Sequence, residues 1–495
     1  MANNTVSQDI RSQYTVTIGI ECHVQFKTET KLFAGVANDA REAAPNTLIS
    51  HICFGLPGAL PVLNKEAVHL GIKAAFALGT RPQKYSAFDR KHYFYPDLPL
   101  GYQITQFTHP IIRDGSITVD VDGEPKTVRI HEAHLEADAG KSTHPAGTNY
   151  SLVDLNRAGT PLLEIVSEPD MHSAAEAKAY VKELYLRMRY ADVSDCNLYY
   201  GNMRFDVNVS VSKTDQLGTR TETKNLNSFK AVEKAVEYEV NRQISELEKG
   251  NVITQETRGW DDAKQITFSQ RSKEDAHDYR YFPDPDLPPV ELDDALIDAV
   301  AGEMPTMPDE WRERLSGLGL SRSQTDSLLE GELDSVEVNY LSLIQEVSGD
   351  KDFSKTLANW FINLEMPLRA DETATIGNLT NQGRLRMYRL VYDLVKANKL
   401  SSSNAKVLLT KLLAGSEVQD IEGYAKQYNL IQESDESELA KVVAKVLEEN
   451  PKAAADVKSG EMKAIGFLVG QVMKHTQGRA NPGVVQQIIK TQLGL

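Results

Sequence analysis

The sequence predicts an α+β protein in which a strand-rich mixed domain is followed by an all-α helical domain and a small helical tail domain. Its 495 residues exceed what one hydrophobic core usually organises. From about Tyr14 to Leu292, short alternating stretches are interrupted by Gly and Pro, which is typical of strands. After Pro288-Pro289, apolar residues recur every three or four positions, which is typical of helices. We therefore predict domains over residues 14–292, 293–405 and 406–495.

Composition excludes several classes of protein. The chain is 41% hydrophobic and 25% charged, so it can bury a core and is not disordered overall. A net charge of −16 excludes a general polyanion binder, so any nucleic acid must be bound by local basic patches. The polar start and the absence of a run of about 20 apolar residues predict a cytoplasmic protein without a membrane partner.

Two predicted strands carry polar side chains on one face. In Tyr14–Phe26, apolar residues alternate with Glu21, His23 and Gln25, so Glu21 and His23 point the same way. In Asn202–Ser210, Arg204, Asp206 and Asn208 share a face in the same manner. Side chains two residues apart on a strand are about 7 Å apart, close enough to converge on one ion.

Two further stretches add acidic residues. If His131–Asp138 is extended, Glu132, His134, Glu136 and Asp138 lie on one side. Glu164 stands inside the apolar run from Leu162 to Val166, where a carboxylate is costly unless it is paired or bound to a cation. Oxygen ligands with one histidine and no thiolate pattern suit a hard cation such as Mg²⁺. Four ordinary solvated strand faces would explain the same pattern.

One long helix is predicted in the first domain. Asn227 or Ser228 can cap its start, and Gly250 follows its last turn. Its apolar residues form one stripe, consisting of Phe229, Val232, Val236, Val240, Ile244 and Leu247. We interpret this helix as scaffolding.

Two segments mix cations with aromatic residues. Phe88–Asp97 places Arg90 and Lys91 beside Tyr93, and Arg271–Pro283 has a similar composition. Such segments can bind anions or bases through charge and stacking, but aromatic-rich loops also serve as structural plugs. Near the end, Lys463, Lys474, Arg479 and Lys490 stand against Glu461 alone, so this segment either binds a phosphate backbone or forms a solvated face.

Long motifs in a fixed order resemble the B-subunit family of tRNA-dependent amidotransferases, from about residue 14 to the end of the chain. They are Gly19–Val24, Phe88–Asp97, Asp154–Pro169, Lys224–Ser228, Gln255–Arg258, Asp278–Pro283, Gly466–Lys474 and Ala480–Pro482.

The resemblance implies an ATP- and Mg²⁺-dependent kinase domain shaped as a cradle. Members of this family phosphorylate the side-chain carboxylate of Glu-tRNA(Gln) or Asp-tRNA(Asn), and ammonia then displaces phosphate to give Gln-tRNA(Gln) or Asn-tRNA(Asn). The ammonia comes from an amidase-type glutaminase A subunit, and a small C subunit holds the two larger subunits together. No amidase signature occurs in this chain, which agrees with that division of labour.

The resemblance also implies residue roles. Glu21, His23, Glu136 and Glu164 match the Mg²⁺-site motifs and are the predicted catalytic residues, with Asp206 as a further ligand. The predicted residues that bind ATP or the tRNA acceptor end are Arg90, Lys91, Tyr93 and Arg204. Lys474 and Arg479 are predicted to contact the tRNA elbow.

One departure and two alternatives bear on these roles. Ala137 follows Glu136 where some relatives carry an acid, and if that neighbouring acid is the ligand in the family, then Glu136 is wrongly assigned as one here. The archaeal-type E subunit shares the kinase core but needs an inserted domain, for which the spacing of the motifs leaves no room. A non-catalytic tRNA-binding protein with a structural acidic cluster is the other alternative.

Overall fold

The computed structural model of the chain describes residues 6–272, 279–415, 418–431, 436–461, 463–476 and 480–495. The chain forms two compact units, Met1–Pro308 and Asp309–Leu495. The first is strand-rich and the second is helical, so the predicted α+β class is confirmed.

The strands of the first unit form one large sheet and a small hairpin. The described strands are β1 Thr15–Gln25, β2 Tyr85–His92, β3 Tyr102–His109, β4 Ile112–Val121, β5 Glu124–Ala137, β6 Lys141–Thr143, β7 Leu152–Asp154, β8 Pro161–Ser167, β9 Met203–Ser212, β10 Thr221–Leu226, β11 Glu256–Asp261, β12 Ile266–Ser272, β13 Phe282–Pro283 and β14 Val290–Glu291. Across the large sheet the order is β12-β11-β10-β9-β1-β8-β5-β3-β2-β13, with β4 paired to β5 and β14 paired to β2. The hairpin consists of β6 and β7.

One face of the sheet is apolar and carries the helices. The described helices of this unit are α1 Gln8–Arg11, α2 Lys65–Ala77, α3 Ala174–Tyr190, α4 Phe229–Glu248 and α5 Asp294–Gly302. Helices α2, α3 and α4 pack against the sheet. The predicted alternation of β1 is confirmed, because Ile18, Ile20, Cys22 and Val24 are buried in this core. Each large aliphatic side chain buried there contributes about 1.5–3 kcal/mol.

The predicted long helix is confirmed as α4. The Ser228 side chain accepts a hydrogen bond from the Ala231 backbone N–H and caps the start of the helix. Gly250 follows the last turn with φ of +82°, a conformation that glycine adopts without strain. Val232, Val236 and Ile244 are fully buried, so the helix is part of the scaffold beneath β9.

The first unit ends at Pro308 rather than at the predicted residue 292. Helix α5 begins just after residue 292 and inserts Ile297 and Val300 into the core of the sheet domain. Its three- and four-residue periodicity is genuine, and the helix packs against α2 of the same unit.

The second unit is built from helices alone among its described residues. They are α6 Pro308–Gly317, α7 Arg322–Asp334, α8 Tyr340–Glu346, α9 Lys351–Trp360, α10 Met366–Ala370, α11 Asn381–Lys396, α12 Ser402–Leu413, α13 Ile421–Gln427, α14 Glu436–Glu449, α15 Pro451–Lys458, α16 Lys463–His475 and α17 Pro482–Leu493. A π-helical turn, Phe361–Glu365, joins α9 to α10. Helices α14 to α17 share their own small core. The predicted boundary at residues 405–406 falls inside α12, which packs against α11. Within the described part of the chain, no helix is long and apolar enough to cross a membrane.

Candidate functional site

The polar face of the large sheet brings four of the predicted strand faces together. Strand β8 lies between β1 and β5, so that Glu164 stands opposite His23 on one side and opposite His134 on the other. His23 Nε2 is 3.4 Å from Glu164 Oε2 and 3.6 Å from Glu136 Oε1. His134 Nε2 lies 3.4 Å from the same Glu164 oxygen. We call His23, Glu136 and Glu164 the inner acid group, because their ligand atoms lie within 4.8 Å of one another.

A second group lies beside the first on β1, β9 and β10. Glu21 is opposite Asp206 in the β1–β9 register, and Glu222 on β10 completes the group. We call Glu21, Asp206 and Glu222 the outer acid group, since their oxygens also lie within 4.8 Å of one another. Asn208 donates a hydrogen bond to Glu21 Oε1 at 3.0 Å. The five predicted metal ligands therefore share one face but divide into two groups, with Glu21 and Asp206 in the outer one.

Burial and mutual charge shift the titration of the inner acid group. Burial raises the pKa of Glu136, and the charge of Glu164 raises it further. Burial on its own would raise the pKa of Glu164, but His134 and His23 outweigh it and hold that pKa well below its usual range. Burial on its own would lower the pKa of His23, but its contact with Glu164 and the charge of Glu136 raise it to about 9. The inner acid group thus holds an ionised Glu164 carboxylate beside a protonated His23.

Lys91 approaches the inner acid group from β2 through a set of aromatic side chains. Its Nζ lies 5.0 Å from the ring centre of Tyr279 and 6.0 Å from that of Tyr93. Burial would lower the pKa of Lys91, but the negative charge of Glu136 and Glu164 outweighs it and raises that pKa. The ammonium therefore stays charged beside the acids, where it can hold an anionic group.

The other two predicted cations are engaged by carboxylates. Arg90 Nε lies 2.8 Å from Asp284 Oδ2, and its Nη2 lies 2.7 Å from Asp286 Oδ2. These contacts tie the segment after β13 to β2. Arg204 Nη2 is 3.3 Å from Asp138 Oδ2, two residues beyond Glu136. Arg204 lies at the edge of the site, whereas Arg90 lies among structural ion pairs.

Of the two predicted tRNA-elbow residues, Lys474 lies at the end of α16. Lys474 is exposed in the last turn of that helix. Arg479 lies outside the described residues, so its position relative to Lys474 stays a prediction.

Both acid groups have donors that fit a divalent cation. The outer acid group offers three carboxylates, the ligand type that Mg²⁺ prefers, and the inner acid group offers two carboxylates and an imidazole nitrogen. Neither group includes a thiolate, and the three cysteines of the chain are all buried elsewhere. The residues present therefore fit Mg²⁺ better than a soft metal.

Comparison with known proteins identifies the family. Residues 16–298 match the GatB/GatE catalytic domain, and residues 342–493 match the GatB domain. The B subunit of the aspartyl/glutamyl-tRNA(Asn/Gln) amidotransferase from Carboxydothermus hydrogenoformans is 42% identical over 489 residues, covering 97% of this chain and 99% of the relative. The chain belongs to the amidotransferase B-subunit family.

Other relatives of the B-subunit family match along the same length. The proteins of the same name from Lachnospira eligens and Moorella thermoacetica are each 41% identical to this chain. Each alignment covers 97% of this chain, together with 99% of the first relative and 100% of the second. The long-motif resemblance in the sequence is therefore confirmed at the level of the family.

Sequence reasoning did not assign three residues that this B-subunit site contains. Glu222 and Lys224 alternate on a six-residue strand, which is too short for a clear period-two pattern. Tyr279 belongs to a motif that supports the family resemblance, but only the tertiary structure places its ring beside Lys91. The alternation of Thr221, Glu222, Thr223 and Lys224 could have indicated the first two, and Lys224 also begins one of the motifs that carry the family resemblance.

Proposed function

We propose that this chain activates the side-chain carboxylate of Glu-tRNA(Gln), Asp-tRNA(Asn) or both by ATP- and Mg²⁺-dependent phosphorylation. Ammonia from a partner glutaminase A subunit then replaces the phosphate, and a small C subunit joins the two larger subunits. The observation that carries the proposal is the convergence of His23, Glu136 and Glu164 on one face of a sheet domain that matches the family's catalytic domain.

Some residues of the site would bind a cation and another would bind an anion. The inner and outer acid groups would hold Mg²⁺, which when bound offsets the charge of the phosphate oxygens. Lys91 would hold an anionic oxygen of the phosphate or of the substrate carboxylate beside Glu136. Because phosphoryl transfer needs little covalent help from the protein, these residues act by positioning and charge.

An apolar cavity beside the site supports the delivery of ammonia. Ala137 and Asp138, which directly follow Glu136, line it, and Gln103 on its wall donates a hydrogen bond to the Ala137 carbonyl. Its wall is otherwise mostly apolar, with Phe33, Ile52, Cys53, Leu98 and Ile104. An apolar wall admits neutral ammonia and disfavours the ammonium ion, since burying an unpaired charge is costly.

Phosphate release from labelled ATP tests the proposal. The full chain with its two partner subunits would be compared on Glu-tRNA(Gln), Asp-tRNA(Asn) and uncharged tRNA, with and without Mg²⁺. We expect release only with a misacylated tRNA and Mg²⁺ together. If neither charged tRNA supports release although both bind, the non-catalytic tRNA-binding alternative replaces this proposal.

Binding of Mg²⁺ at the inner acid group is expected to release about one proton at pH 7.5. With a pKa of about 9, His23 is protonated at that pH, and it must lose the proton to bind a metal through nitrogen. Affinity should therefore rise with pH up to about 9 and level off above it. Calorimetry in buffers of different ionisation enthalpy measures the released proton. Binding without proton release would exclude His23 as a ligand.

Replacing Lys474 and Arg479 together by alanine is expected to weaken tRNA binding and reduce its salt dependence. Each lost phosphate contact should lower the slope of log K against log salt by roughly one unit. The glutaminase activity of the complex should not change. Lys441→Ala serves as the control, because Lys441 is an exposed lysine that pairs with Glu438 on α14. An unchanged slope in the double variant would exclude a contact by this end of the chain.

A further inference from the structure

Lys224 stands at the position where the outer acid group would hold a cation. Its Nζ is 2.9 Å from Asp206 Oδ2 and 2.8 Å from Glu222 Oε1. These are two of the three carboxylates whose oxygens converge within 4.8 Å. A lysine ammonium is positive and has only donors, so at this position it offsets the charge of the carboxylates as a small bound cation would.

The backbone of β10 is built to put Lys224 there. The pairing of β10 with β9 is irregular between Thr223 and Leu226, and Asn225 has φ of +59°. This turn directs the Asn225 N–H to Asp206 Oδ1 at 2.8 Å while Lys224 takes the other oxygen. Irregularities of this kind re-aim side chains beside active sites, and a left-handed non-glycine residue carries a cost that the surrounding structure must support.

The same place cannot hold Lys224 and a divalent ion together. Both are positive and both need the inward oxygens of Asp206 and Glu222, so each weakens the binding of the other. The Lys224 side chain is 37% exposed, and its long flexible stem lets the ammonium move toward the open face of the sheet. That face is where the proposed function brings the phosphates of the nucleotide.

We propose that Lys224 is the resident cation of the outer acid group and that it exchanges its place with Mg²⁺. The displaced ammonium then binds a phosphate oxygen of the nucleotide. This inference rests on the proposed kinase function and adds to it a positioning residue that couples metal binding to nucleotide binding.

Replacing Lys224 by methionine tests the exchange through two binding constants. Without nucleotide, we expect the full-length variant to bind Mg²⁺ roughly tenfold more tightly than the wild type, because the internal competitor is gone. With saturating Mg²⁺, we expect a nonhydrolysable ATP analogue to bind roughly tenfold more weakly, because the phosphate contact is lost. Calorimetry measures both, and the Mg²⁺-dependent rise in the unfolding temperature gives an independent readout of the first.

A matched control and a second variant keep the test decisive. Lys213→Met removes an exposed lysine that pairs with Glu248 just beyond β9, and it should change neither constant. If Lys224→Met fails to fold, Lys224→Gln retains a donor for Asp206 and should shift both constants in the same directions. Unchanged or weaker Mg²⁺ binding, or unchanged nucleotide binding, would show that Lys224 is only a structural ion pair.

The outcome also separates this inference from the proposed function. A wild-type complex that binds Mg²⁺ and releases phosphate, together with a Lys224→Met variant of unchanged affinities, overturns the exchange alone. A wild-type complex that neither binds Mg²⁺ nor releases phosphate overturns both.

Discussion

Replacing Glu164 by glutamine is expected to abolish ATP-dependent phosphate release while leaving tRNA binding nearly intact. Glu164 is the ionised carboxylate between His23 and His134 at the centre of the inner acid group. Glutamine keeps the shape but removes the charge that the proposed cation needs. Loss of one electrostatic contact to a phosphoryl-transfer transition state typically costs about 10²–10³-fold in kcat. Binding of tRNA should persist because contacts to the phosphate backbone dominate its affinity.

Single-turnover phosphate release and filter binding of Glu-tRNA(Gln) measure these two effects. Glu168→Gln is the matched control, because Glu168 lies just beyond β8, the strand that carries Glu164, and pairs with the exposed His131 at 3.0 Å. It should retain wild-type release. Activity retained by Glu164→Gln, in a variant with a normal unfolding temperature, would refute a cation site at the inner acid group.

Replacing Arg384 by methionine is expected to destabilise the helical unit by about 3–5 kcal/mol. Arg384 is 1% exposed and its Nε lies 2.8 Å from Oε1 of Glu365, which is fully buried at the end of the π-helical turn. Tyr388 donates a hydrogen bond to the other oxygen of Glu365 at 2.8 Å. Removing Arg384 leaves a buried carboxylate short of its main counter-charge, and the half-buried Arg369 at 3.1 Å compensates only in part.

Native-state hydrogen exchange of the α11 amides in the full-length protein measures this loss for the helical unit alone. Arg389→Met on the same helix is the control, since Arg389 is 43% exposed and its ion pair with Asp350 contributes at most about 1 kcal/mol. A double variant that also changes Glu365 to glutamine should recover much of the stability. Equal effects of Arg384→Met and Arg389→Met would contradict a buried network.

Strand faces and helix ends were predictable because they depend on local periodicity. The alternation in β1 separates Glu21 and His23 from the core, and the burial of Ile18, Ile20 and Cys22 confirms it. The Ser228 cap of α4 follows from a local hydrogen bond to the backbone. Such features need only a few neighbouring residues, so one sequence is enough to predict them.

The end of the first unit was harder to predict because periodicity reports that a helix has an apolar stripe but not what covers it. Helix α5 has such a stripe, and periodicity alone groups it with the later helices. In the structure, Ile297 and Val300 are buried in the sheet domain. The local pattern therefore predicts the helix, and only the tertiary structure shows which core its apolar stripe enters.

The sequence by itself determined which residues share a strand face and, through its long motifs, to which family the chain belongs. Only the tertiary structure decided that β8 lies between β1 and β5, so that Glu164 meets both His23 and His134. It also divided the acids into two groups and turned β10 so that Lys224 reaches Asp206. The physical reason is that strands far apart in the chain pair through backbone hydrogen bonds, which any sequence can make, so local sequence does not specify strand order or register. Burial of one whole face of the sheet selects the order and register that form.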